Sequence, residues 1–331
     1  MKFVWLIILL FGYQVGFNQK INGVNVVSPQ TELAAKSLSN LSRINTNWVS
    51  FCPFAFMKSG ETYVEYNSIN NYWGDKTPNL KKLVQNAHQQ GLRVLIKPHV
   101  WVEGEGWPGD FTPGVGKWKE WGGNYTQFIL ELANLCQEEN VEMLSIGTEF
   151  KNSVKTVPGY WKRLIESVRE VYSGKLIYAA NWDNYQYIPF WKQLDYIGID
   201  GYFPLVDATT PAVTEISQAW MPIARSLKRF SEKQNKAIVF TEYGYRSIDN
   251  TANKQWLIES IPDDRNINLE AQNNAYLGFY NSVWENDWCA GGFIWKWHLK
   301  EYENKLNFSS GYTPQGKPVE KIILEWYSKE Y

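Results

Sequence analysis

Cysteine is nearly absent from this 331-residue chain: three residues, at 52, 136 and 289. An odd, widely spaced set permits at most one disulfide and has no metal-like spacing. Histidine is as scarce, at 88, 99 and 298, which argues against a His-based zinc centre. There is no G-x-S-x-G turn, so a serine nucleophile elbow has no support. No Gly-rich phosphate turn comes after the first strand-like segment, "VNVVSPQTE", and "GYRSIDNTANK" later in the chain supplies none either. Neither sign of charge is in excess, with 33 basic and 34 acidic residues. No Lys/Arg-rich run occurs, so a nucleic-acid partner is not expected. The single long apolar run is N-terminal, in "MKFVWLIILLFGYQVGFNQK". One lysine precedes it and it ends near Tyr13, too short to span a bilayer. It reads as the h-region of a signal peptide over residues 1–20, cleaved within Gly12–Lys20, and predicts a secreted or periplasmic protein. A buried N-terminal element is the alternative. No cysteine comes after the run, so no stable membrane anchor is expected.

Aromatic residues are what the chain has in surplus: 17 Trp, 20 Tyr and 16 Phe, 16% of the total. They fill a core, or they line a ligand groove, where a flat amphipathic ring stacks well. Composition alone leaves both open.

Strand-like and helix-like segments alternate along residues 21–331. The strand-like ones are 21–28, 48–56, 93–102, 142–150, 175–182, 194–203, 237–245 and 290–298. Helical patterns fill 31–44, 78–90, 124–139, 159–172, 213–234, 269–285 and 318–327. The connection after the fifth strand holds only a short turn near 189–193. Such alternation predicts a parallel sheet, and eight units predict a single catalytic domain, a closed (β/α)8 TIM barrel. Long loops at 57–77, 103–123 and 246–268 would form a substrate groove.

Two apolar strands end in a carboxylate. "SIGTEF" places Glu149 at the end of strand four, and "IVFTEYGYRS" places Glu242 at the end of strand seven. Burying a charge is costly unless something holds it, and the C-terminal strand ends of such a barrel are where active sites form. By alternation Ser145, Gly147 and Glu149 share the inner face, as do Ile238, Phe240 and Glu242. Paired carboxylates suit acid–base chemistry at an acetal, one protonated and one ionised. Tyr202, at the end of strand six, is the candidate donor to Glu242. Trp295, at the end of strand eight, offers a face for a sugar ring. "KPHVW" puts Lys97, His99 and Trp101 on one face of strand three. "NWDNY" puts Asn181 and Asp183 after strand five. These five, with Trp295, are candidate substrate-binding residues. Trp107, Trp118 and Trp121 line the groove or pack the loop after strand three. Asp200 is a candidate internal anchor. No cofactor or metal is implied.

The segments "SIGTEF", "DYIGIDGYFPL", "FTEYGYRS" and "GGFIWKW" resemble glycoside hydrolase family 113, the β-1,4-mannanases of the large retaining (β/α)8 clan. The resemblance covers nearly the whole chain after residue 20. It implies Glu149 as acid/base and Glu242 as nucleophile, acting on a mannan or manno-oligosaccharide. Retention requires their carboxyl groups to lie about 5–5.5 Å apart. Most of the wider clan has Asn before the acid/base, where this chain has Thr148, a replacement shared with the family. The 2-hydroxyl contact is thereby left to other residues, with His99 and Asn181 the candidates. A retaining glycanase for glucan or xylan would use the same machinery, and a silent glycan-binding barrel is the remaining alternative.

Overall fold

The computed structural model describes residues 19–33, 37–254, 267–299 and 310–331. The segment expected to be a leader lies outside them except for its last two residues, and Lys20 donates to the carbonyl of Cys289 at 2.6 Å. Eight parallel strands form a closed barrel. They are β1 (Ile21–Val26), β2 (Trp48–Phe51), β4 (Arg93–Ile96), β6 (Met143–Thr148), β7 (Lys175–Asn181), β8 (Ile197–Asp200), β9 (Ile238–Tyr243) and β10 (Cys289–Trp297). Around the barrel the order is β1, β10, β9, β8, β7, β6, β4, β2. The expected (β/α)8 barrel is the fold.

Two expected strands are each divided. Strand two breaks between β2 and β3 (Phe54–Lys58), and strand three between β4 and β5 (His99–Glu103). Pro53 and Pro98 sit at the breaks, and proline has no N–H to give a ladder. Beyond them β3 and β5 pair with each other as a separate two-stranded parallel sheet. That sheet continues the barrel wall upward beside the mouth.

The helical layer keeps the expected order with one short helix added, α3: α1 (Thr77–Gln89), α2 (Trp118–Glu138), α3 (Lys151–Thr156), α4 (Pro158–Val171), α5 (Val213–Gln234), α6 (Leu269–Phe279) and α7 (Val319–Tyr327). Between β1 and β2 the described helix is a 3-10 helix at Ser37–Ile44, and the β7–β8 connection holds two 3-10 turns. The α6 helix ends in a π-turn at Tyr280–Trp284. Helix α2 starts six residues before the expected 124, because Gly122–Gly123 reads as a weak helix former. Packing overrides propensity there. Trp121 is wholly buried among Phe111, Tyr125, Phe150 and Trp161, and a Cβ on Gly122 would stand 2.8 Å from the Tyr160 ring. Glycine lets α2 and α4 approach. The three cysteines are free and buried. Much of the aromatic surplus is therefore core between barrel and helices.

The barrel interior is layered. Ile21, Trp48, Leu95, Met143, Ile177, Val239 and Phe293 form an apolar plug toward the strand N-termini. Above it lie buried polar residues, among them Asn25, Ser50, Lys97, Thr148, Asp200, Thr241 and Glu242. Chemistry is concentrated in that upper layer.

Candidate active site

Simple alternation does not bring the two glutamates to the mouth. Phe240 packs against Trp220 and Phe279 in the helical layer, and a Cβ on Gly147 would meet Trp161 and Tyr125 there too. Both residues thus face opposite to the inner position expected from counting. The reason is a bulge on each strand. Between Ser145 and Thr148 strand β6 runs three residues against two of β7. Between Phe240 and Glu242 strand β9 carries one residue more than β8, and it does so again against β10. An extra residue shifts the parity of the strand and re-aims the side chains beyond it. Val239 and Thr241 face inward on β9, and the bulge lets Glu242 do so as well. Glu149 comes just after the β6 bulge with a left-handed φ of +57°, an uncommon conformation for a residue with a Cβ. Its N–H is held by the Ala179 carbonyl at 2.8 Å.

Glu242 is 6% exposed, and each of its oxygens is held. Oε2 accepts from the Tyr202 hydroxyl at 2.7 Å. Oε1 meets the Lys97 ammonium and lies 3.3 Å from His99 Nε2. Burial alone would push its pKa up, but the Lys97 ammonium outweighs that and holds it at about 2. Tyr202 itself is steadied edge-on by Tyr312, 6.2 Å between ring centres.

Glu149 has the opposite surroundings. Its Oε2 accepts from the Trp107 indole N–H at 2.6 Å. Burial first, then the charges of Asp200 and Glu242, drive its pKa well above the carboxylate range, and Lys97 and Trp107 offset only part of that. Trp107 reaches it because β5 turns back at Gly104 and Gly106, with Val102 and Gly106 bridged.

Lys97 is placed differently from the expected substrate contact. It has no exposed surface, so its ammonium is out of reach of a sugar. It donates to Glu242, lies 2.9 Å from His99 Nε2, and is 3.6 Å from Asp200 Oδ2. The two carboxylates outweigh burial and keep it protonated. Burial and then Lys97 lower the pKa of His99, so the ring is neutral and accepts from Lys97 when Nδ1 carries its proton. Asp200 is the internal anchor, its Oδ1 taking the Thr241 hydroxyl at 2.7 Å. Burial, then the Glu242 charge, push it up to about 7.

The remaining candidates divide. Trp295 stacks on His99 with ring centres 5.7 Å apart. Asn181 lies level with Asp200 across β7 and β8, and its buried Oδ1 has no hydrogen-bond partner among the described residues. Trp101 is 51% exposed on the same face of the β3–β5 sheet as His99. Asp183 stands apart, its carboxylate taken at the surface by Lys151 at 2.6 Å. Trp118 packs edge-on against Trp121 and Phe111. Thr148 spends its hydroxyl on the Pro98 carbonyl at 2.9 Å, which ties β6 to the break between β4 and β5.

The family model for Glycoside Hydrolase Family 113 matches residues 26–317. The chain belongs to glycoside hydrolase family 113. Among solved structures, the family 113 β-mannanase of Alicyclobacillus acidocaldarius, in complex with ManMIm, superposes with a TM-score of 0.81 at 22% identity, covering 94% of this chain and 97% of that one. A second family 113 structure, described as a β-1,4-mannanase complex, superposes with a TM-score of 0.78 at 23% identity, covering 94% and 100%. The β-glucuronidase of Faecalibacterium prausnitzii shares the fold more distantly, with a TM-score of 0.62 at 13% identity, this chain covering half of it. A comparison with curated protein sequences finds no match. Among the described residues no helix of this family 113 chain is long and apolar enough to cross a membrane.

Proposed function

We propose that this family 113 hydrolase cleaves β-1,4-mannosidic bonds with retention, Glu149 serving as acid/base and Glu242 as nucleophile. The observation that carries the reading is the opposed surroundings of two carboxyl groups in one barrel mouth. Glu242 is held ionised by Lys97 and Tyr202, and Glu149 is held protonated by burial and neighbouring negative charge. Environments that push two carboxyl groups apart in this way divide acid from nucleophile. A Glu242 oxygen attacks the anomeric carbon while Glu149 protonates the departing glycosidic oxygen. Water then attacks the glycosyl ester, Glu149 takes the water's proton, and Glu242 leaves as carboxylate.

The solved family members that this chain resembles are described as β-mannanases, which supports mannan over glucan. Trp295 supplies a stacking face. Asn181, whose buried acceptor has no partner among the described residues, and His99 are the residues suited to reading the axial 2-hydroxyl, since the Thr148 hydroxyl is already used. A site built around such a hydrogen bond discriminates strongly against a sugar that cannot make it. Trp101, farther along β5 on the His99 face, suits a more remote sugar. The N-terminal apolar run supports export as a secreted or periplasmic enzyme. Mannohexaose and cellohexaose, compared side by side with EDTA present, test the substrate. Selective cleavage of mannohexaose is expected, and equal or faster cleavage of cellohexaose refutes the mannanase reading.

A further inference from the structure

We propose that Asp200 is the counter-ion on which Lys97 falls back when Glu242 is consumed in the glycosyl-enzyme intermediate. The inference rests on the two-glutamate reading above.

Lys97 has no access to water, so its charge must be met by protein. In the free enzyme Glu242 meets it directly. Asp200 waits at the other side of the ammonium. Its Oδ1 is fixed by the Thr241 hydroxyl, while its buried Oδ2 accepts no hydrogen bond among the described residues and lies 3.6 Å from Nζ. A bare carboxylate oxygen is a poor thing to bury without a use. Charge-assisted N–H···O bonds run near 2.8 Å, so closing the gap takes a shift of about 0.8 Å.

The chemistry creates the need. When a Glu242 oxygen bonds to the anomeric carbon and the glycosidic bond breaks, Glu242 becomes a neutral ester. The departing oxygen carries off the Glu149 proton, so the negative charge reappears on Glu149. Among the described residues Lys97 pairs with Glu242 and Asp200 but not with Glu149. Its other neighbours supply no charge: burial and Lys97 keep His99 neutral, and burial pushes the Cys52 thiol up to about 12. Asp200 is what remains. The Glu242 charge is one of the causes that raise Asp200 to about 7, and esterification removes it. As pH rises past 7 Asp200 is increasingly ionised before the reaction begins, and no additional proton has to move. In the second step Glu242 leaves as carboxylate and recovers the ammonium.

The test is stopped-flow hydrolysis of 2,4-dinitrophenyl β-mannobioside at pH 7.5, because that leaving group departs without help from Glu149. Asp200→Asn is isosteric and still accepts from Thr241. It is expected to slow glycosylation on the order of 100-fold, the consequence of an unpaired buried cation, and to leave deglycosylation unchanged or faster. Equal slowing of both steps marks a merely structural role and overturns the proposal, as does no effect on either. In a Lys97→Met background the Asp200→Asn substitution is expected to add little, and a full additional loss overturns the proposal. Should Asp200→Asn fail to fold, Thr241→Val, which frees Asp200, is expected to give the same selectivity more weakly, and equal slowing of both steps there counts against the proposal. Glu242→Ala with added azide separates the two levels. If azide restores turnover as an α-glycosyl azide, the two-glutamate reading stands and Asp200→Asn judges the counter-ion alone. If it does not, the underlying reading fails and the counter-ion role falls with it.

Discussion

Removing the Lys97 ammonium should convert Glu242 from a permanently ionised group into one that titrates where it can be seen. In Lys97→Met the buried carboxyl keeps its desolvation but loses the cation that outweighs it. Its pKa then rises from about 2 to at least the ordinary 4.5. That difference corresponds to roughly 3 kcal/mol between the two protonation states. Linkage sets the sign for stability. A carboxylate depressed in the folded state contributes stability that is fully present above its unfolded pKa and is lost as pH falls toward the folded one. Wild-type enzyme therefore keeps the Glu242 contribution above about pH 4.5 and loses it progressively toward about pH 2. The variant loses it at every pH. The assay is kcat/KM on mannohexaose from pH 3 to 9, with thermal unfolding measured alongside. A new acid limb at or above pH 4.5, together with a lowered Tm at neutral pH, is expected. An acid limb unmoved from wild type, in a folded and active variant, would refute the assignment of Lys97 as the group that keeps Glu242 ionised.

Three other substitutions probe the same geometry. Trp107→Phe removes the N–H that favours ionised Glu149, so the Glu149 pKa rises further and the alkaline limb of kcat/KM moves to higher pH; a limb moving down contradicts the assignment. Tyr202→Phe removes the 2.7 Å donor to Glu242 Oε2 and should lower kcat by roughly 10- to 100-fold with less change in KM; an unchanged kcat takes Tyr202 out of the mechanism. Trp101→Ala, at a half-exposed position, should leave Tm unchanged and raise KM for mannohexaose more than for mannotriose; an equal effect on both lengths excludes a remote sugar contact.

Much of the fold was legible because alternation of apolar strands with amphipathic helices is a local pattern. The long helix at 213–234 falls where its periodicity put it. The departures have local physical causes. Pro53 and Pro98 divide two strands, and the Gly122–Gly123 pair hid the first turn of α2. In the site, carboxylates at strand ends were visible because a glutamate terminating a buried strand is costly. Their aim was not, since bulges on β6 and β9 break the two-residue count and depend on neighbouring strands. Lys97 read as a groove residue because nothing in "KPHVW" tells that the side chain before Pro98 points down to Glu242. Trp107 could not be separated from its neighbouring tryptophans by spacing. Its bond to Glu149 depends on the turn at Gly104 and Gly106.

The central claim is that Glu149 and Glu242 act by double displacement, and the stereochemistry of the first product tests it most directly. Proton NMR during the first minutes of mannohexaose cleavage, before mutarotation, distinguishes the new reducing ends. The account predicts the β-anomer first, with the α-anomer growing only at the mutarotation rate. An initial α-anomer would mean inversion and would contradict Glu242 as nucleophile.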